Sequence, residues 1–225
     1  MSRRRFATVV AGAAALLLCC AVPVQAVLSL TLSTHASDGN LPDASQLDAT
    51  FEFSIVSGQL LLTVSNLTPE GPLDPALNID EIYFNAKDNI TNLNLVGVSA
   101  GNTNKWVWDF FQQEDGDGDG NPHQVNGFGK FDMYVKDTTA LPKTYINSGD
   151  SLTFTFDITA GTDPVETDFI ELSAQVDGHI ISYAAAKFYD GDGISGFGAT
   201  NVPEPATIAL LGFGALVLLR KRKRT

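Results

Sequence analysis

Asp115, Asp117 and Asp119 fall at alternate positions of the run Asp115-Gly116-Asp117-Gly118-Asp119-Gly120-Asn121. Carboxylates at that spacing can curl around one hard cation, the glycines permit the tight turns, and Asn121 can offer its backbone carbonyl. Calcium is the expected ion. The pattern departs from a helix-flanked calcium loop at its twelfth position, where Asn126 cannot supply a bidentate carboxylate. The alternative is a solvated acidic turn, since Asp and Gly are also common turn residues. Trp106, Trp108 and Phe110 form a second grouping at i, i+2 and i+4, so in a strand the three rings share one face and Val107 and Asp109 take the other. Exposed, such a row is a platform on which sugar rings stack; buried, it is a heavy core strand. For catalysis the residues offer little. His35, His123 and His179 are far apart, and neither a zinc-binding H-E-x-x-H, a nucleophile elbow nor a phosphate-cradling glycine loop occurs. No enzymatic activity is expected.

The segments that must position these groups alternate apolar and polar residues at period two: VLSLTLS, TFEFSIVS, QLLLTVS, KFDMYVK, SLTFTFDI and FIELSAQV. Leu152, Phe154, Phe156 and Ile158 face one way and Thr153, Thr155 and Asp157 the other, as in a half-buried antiparallel strand. Turn-rich stretches such as SGQ, SAGN and NSGD separate them, and about eight to ten strands fit. The expected fold is all-β, an antiparallel β-sandwich of jelly-roll or immunoglobulin-like type over residues 27–189. The glycine-rich stretch that follows, 190–201, reads as a flexible linker.

Charge separates the middle of the chain from its ends. Residues 27–201 hold 6 Lys, no Arg and 25 Asp+Glu, a formal charge of −19, which repels phosphate backbones and argues against nucleic-acid binding. The basic residues concentrate at the two ends. Arg3, Arg4 and Arg5 precede an apolar run and the small-residue site Val24-Gln25-Ala26, the make-up of a signal peptide cleaved after Ala26. The three arginines also match a twin-arginine export motif, so either export route fits. Cys19 and Cys20 leave with the signal, and the mature chain is expected to have no disulfide.

At the other end stand Val202-Pro203-Glu204-Pro205, fourteen uncharged, mostly apolar residues from Ala206 to Leu219, and the basic block Arg220, Lys221, Arg222, Lys223 and Arg224. As a helix the apolar run spans roughly 21 Å, short of a hydrocarbon core of about 30 Å, and the basic block lengthens its reach by snorkelling and holds the tail on the cytoplasmic side. One short C-terminal transmembrane helix is expected. The order of motif, helix and basic tail in residues 202–225 resembles the PEP-CTERM sorting signal of Gram-negative bacteria. The resemblance implies a substrate of exosortase, a membrane-embedded cysteine peptidase or transpeptidase. It also implies an inner-membrane anchor before processing, a later place in the envelope or extracellular matrix, and a setting of exopolysaccharide production. A carbohydrate-binding module that uses Trp106, Trp108 and Phe110 is the alternative function.

Overall fold

A computed structural model describes residues 26–32, 34–37, 47–69, 77–99, 105–110, 123–138, 145–174, 178–189 and 195–200. The signal segment, the acidic run Asp115–Asn121, residues 190–194 and the tail from residue 201 lie outside the described residues, and Ala26 is the first residue within them.

The described chain is all-β and antiparallel, as its alternation predicts. One five-stranded sheet has the order β1 (Leu28–Thr31), β3 (Ala49–Val56), β4 (Gln59–Asn66), β11 (Ser151–Ala160), β6 (Ile90–Val98). A six-stranded sheet has the order β2 (Thr34–Ser37), β13 (Ser195–Thr200), β12 (Ala184–Tyr189), β5 (Asn78–Phe84), β10 (Met133–Asp137), β7 (Trp106–Phe110). A small hairpin, β8 (His123–Val125) with β9 (Gly129–Phe131), completes the strands.

The inner faces of the two large sheets close on one another through aromatic rings. Phe53 meets Phe84 edge-on at 5.6 Å between centroids, Phe84 meets Phe156 at 6.2 Å, and Trp106 meets Phe154 at 5.0 Å. All five rings are buried, and such contacts contribute roughly 0.5–1.5 kcal/mol per pair beyond the area removed from water. β3 and β4 join through Ser57 and Gly58, both at positive φ, which gives a two-residue hairpin its preferred twist and explains the glycine there.

Three expectations fail here, each for a local reason. Segment KFDMYVK does not run as one strand: it bends at Asp132, whose carboxylate accepts from the Ala86 amide (3.1 Å) and whose amide donates to Asn85 Oδ1 (2.9 Å). That bend folds β9 back over the sheet that β10 joins. Of FIELSAQV, the described residues 169–174 form no strand, because Glu166–Phe169 turn as a short 3-10 helix that delivers Phe169 to Phe53 (6.3 Å, rings parallel), and Ala174 forms an isolated bridge to Lys130. Residues 190–201 are not all linker. Ser195–Thr200 are β13, an interior strand that pairs with β12 on one side and β2 on the other.

Candidate functional site

The outer face of the six-stranded sheet carries a second, smaller core. Tyr83, Ala185, Phe197 and Ala199 project outward from β5, β12 and β13, and the β8–β9 hairpin covers them with Val125, Phe128 and Phe131. The hairpin is clamped from outside by residues 173, 174 and 178–182. Lys130 and Ala174 exchange backbone hydrogen bonds (3.1 and 2.9 Å), and Ser173 Oγ donates to the Phe128 carbonyl (2.7 Å). The Gly129 amide donates to His179 Nδ1 (3.3 Å), and Gly129 itself is irreplaceable there: its φ is +82° and a Cβ would lie 2.5 Å from the Ala174 carbonyl oxygen.

Beside this core, strand register assembles a charged cluster. Glu81 on β5 lies directly opposite Lys136 on β10 and Lys187 on β12, and both ammonium groups reach the same oxygen, Oε1, at 2.7 and 3.0 Å. Its other oxygen accepts from the Tyr83 hydroxyl. Burial alone pushes the Glu81 carboxyl up; the hydrogen bonds from Lys136, Tyr83 and Lys187, with the Lys187 charge, outweigh it and hold the group below the ordinary glutamate value. The same environment pushes the Tyr83 hydroxyl far up, by burial first and by the Glu81 charge second. Glu81 is therefore fixed as the carboxylate and Tyr83 as the phenol.

A row of rings extends this cluster to the sheet edge. Tyr83 lies 5.5 Å from Tyr134, and His123 stacks on Tyr134 at 4.7 Å with 26° between planes, its Nε2 3.5 Å from Asp109 Oδ2 on β7. Burial lowers the His123 pKa against the opposing pull of Asp109, so the ring is neutral at pH 7. A histidine with a lowered folded pKa contributes stability above its unfolded value of 6.5 and loses it as pH falls through that value toward the folded one. Melting temperature should accordingly fall between pH 7 and pH 5, and His123→Phe, which keeps the stack but cannot titrate, should flatten that slope. An equal slope in both proteins would remove His123 from the pH response.

The aromatic row divides between core and rim. Trp106, Trp108 and Phe110 share the inward face of β7 by register with Asp137, Val135 and Met133. Trp106 is 1% exposed and Phe110 packs against the core, whereas Trp108, at 37%, sits at the rim of this edge strand. Val107 and Asp109 face outward, as the alternation predicts. Trp108 alone does not make a platform. The proposed calcium ligands Asp115, Asp117, Asp119 and Asn121 lie outside the described residues, within which no group of three His, Cys, Asp or Glu is placed to hold a metal. Also among the described residues, no helix is long and apolar enough to cross a membrane.

Thr200 is the last described residue. This residue is fully buried and opposite Ala184, and its carbonyl accepts from the Tyr183 amide at 2.9 Å. The tail that follows has the motif, apolar run and basic block noted above, and residues 201–223 match the family described as the PEP-CTERM protein-sorting motif. The chain carries a PEP-CTERM sorting signal. That signal marks an exported protein sorted to the cell envelope and supports an exosortase substrate. No curated protein matches the chain.

Among solved structures, one similar chain is a biomass-sensing module of an Rsgi2 protein of Clostridium thermocellum, described as resembling a family 3 carbohydrate-binding module. It is 11% identical with a TM-score of 0.31, over 81% of this chain and 99% of that one. Another, a biomass-sensing module from Rsgi-like proteins of the same organism with the same described resemblance, is 14% identical with a TM-score of 0.30, over 80% of this chain and 99% of that one. Likeness at those scores carries no argument about this chain's ligand.

Proposed function

We propose that the chain is a non-enzymatic protein of the envelope or extracellular matrix. It is exported, held at the inner membrane by its tail, passed to an exosortase-type enzyme, and left in association with exopolysaccharide. The observation that carries this reading is the position of the PEP-CTERM signal, which begins at residue 201 directly after a strand that is hydrogen-bonded on both sides. The prolines at 203 and 205 support it physically, since neither can donate a backbone hydrogen bond that would prolong β13. The Glu81 cluster supports the non-enzymatic part. Two lysines and a phenol occupy its carboxylate oxygens, and a carboxyl held below its ordinary pKa is a poor general acid near pH 7.

The experiment is the intact mass of the mature protein recovered from the envelope and extracellular fractions of its native host. A C-terminus at Pro203 to Pro205, or an added moiety there, is the expected result. A full tail ending at Thr225 and found only in the membrane would make the chain a plain anchored domain. A calcium ion at Asp115, Asp117, Asp119 and Asn121 belongs to the same proposal. Millimolar calcium should then raise the melting temperature, because an ion that binds only the folded chain stabilises it by mass action, and Asp117→Ala should abolish the rise. An unshifted wild-type melt would remove the site.

A further inference from the structure

Strand registers sort the described segments into two ends of the sandwich. One end gathers the β3–β4 turn at Ser57 and Gly58, the finish of β11 opposite Ile90, and the row Thr200, Ala184, Phe84, Met133. Residues 165–174 and 178–183 are fastened to this same end. Lys87 N donates to the Asp168 carbonyl (2.8 Å), Asn85 Nδ2 to the Glu171 carbonyl (3.1 Å), Ser173 N to the Ser182 carbonyl (2.7 Å) and Tyr183 N to the Thr200 carbonyl (2.9 Å). Val27, one residue before β1, lies there too, because Leu28 is opposite Phe53 near the finish of β3. The chain thus enters and leaves the sandwich at one end.

That end is also where apolar side chains stand in water. Val27, Val165, Leu172, Ile180 and Ile181 are each 40% to 58% exposed, five of the eight large hydrophobics in that range among the described residues, although each sheet end has its own loops. Only five residues separate Thr200 from the apolar run at Ala206, a reach of roughly 20 Å fully extended. A lipid surface entered by that run is therefore within contact of this end and out of reach of the opposite one.

We infer that the end of the sandwich bearing Val27, Val165, Leu172, Ile180 and Ile181 docks on the lipid surface while the tail is inserted. The inference rests on the tail-anchored reading above. The partner is the uncharged boundary between headgroups and acyl chains, into which exposed aliphatic side chains partition. The acidic groups there favour zwitterionic lipid: Lys87 pairs with Asp168 at 3.3 Å, and burial with the nearby Asp88 charge raises the Glu171 carboxyl. His179 and Lys130 are the basic groups on the adjoining clamp.

The test uses the mature chain, residues 27–225, which has no cysteine of its own, reconstituted in phosphatidylcholine vesicles that contain nitroxide-labelled lipid. A fluorophore is placed through Ile181→Cys or, as a reference on the exposed opposite end, through Ser151→Cys, and flotation is read in parallel. Flotation with several-fold stronger quenching at 181 than at 151 is expected. Leu172→Glu with Ile180→Glu should bring the 181 site down to the 151 level while flotation persists. Flotation with equal quenching at both sites overturns the docking surface and leaves the anchor standing. Failure to float overturns the anchored reading and the docking with it.

Discussion

A chain truncated after Thr200 should melt as the full domain does, and one truncated after Tyr189 should fail to fold. The second deletion removes β13, which has six register pairs with β12 and four with β2. It also takes Phe197 and Ala199 out of the outer core and leaves Tyr83, Val125 and Phe131 facing water. At about 1 kcal/mol net per backbone hydrogen bond and about 3 kcal/mol for the buried Phe and Ala side chains, the loss is comparable to a whole domain's margin of roughly 5–15 kcal/mol. The first deletion removes none of the described residues of either sheet. Circular dichroism melts of the two proteins check the contrast. Equal melting would return residues 195–200 to the status of a tether and separate the sorting signal from the fold by a dozen residues.

Glu81→Ala should destabilise the domain by about 3 kcal/mol. It strands Lys136 and Lys187 against each other with no anion between them and takes the acceptor from the Tyr83 hydroxyl. The Glu81 side chain is only 6% exposed, which argues for a large effect; the two lysines, at 37% and 24%, can turn partly to water, which holds it at the low end of the range for broken buried pairs. Glu81→Gln keeps the volume and one acceptor and should fall between. The sign with pH follows from the lowered carboxyl. Its stabilisation is complete above the unfolded value of 4.5 and is lost as pH falls through the folded one, so the gap between wild type and Glu81→Gln should narrow below pH 4.5. Urea titrations at pH 7 and pH 3.5 measure both effects. A gap that stays constant over that range would mean Glu81 is not ionised in the fold.

How far the fold is legible in the residues depends on which strands meet water. β3, β4 and β11 each have one wet face, so their alternation is plain and their registers follow it. β5 lies between the main core and the hairpin-covered core, and its run NIDEIYF is buried on both faces with no alternation to detect. β13, SGFGAT, is hidden for another reason: small residues that suit an interior strand packed closely on two neighbours have the same composition as a flexible linker. FIELSAQV alternates, and still its described residues 169–174 are no strand, because Phe169 is drawn into the stack with Phe53. The Glu81 cluster was beyond reach, since its lysines are contributed by β10 and β12 and only the strand order brings them together. The sorting signal was legible in full because it is a contiguous word, with each part defined by residue type.

The attachment of the tail to β13 also fixes how the domain answers to force. Tension on the tail is applied at Thr200 and runs along the strand axis, while the hydrogen bonds of an antiparallel pair run across it. β13 is gripped from both sides, so its bonds to β12 and β2 are strained together in shear and not opened one after another like a zip. Tension transmitted through the tail would therefore have to break both sets of β13 bonds together before the domain let go of it.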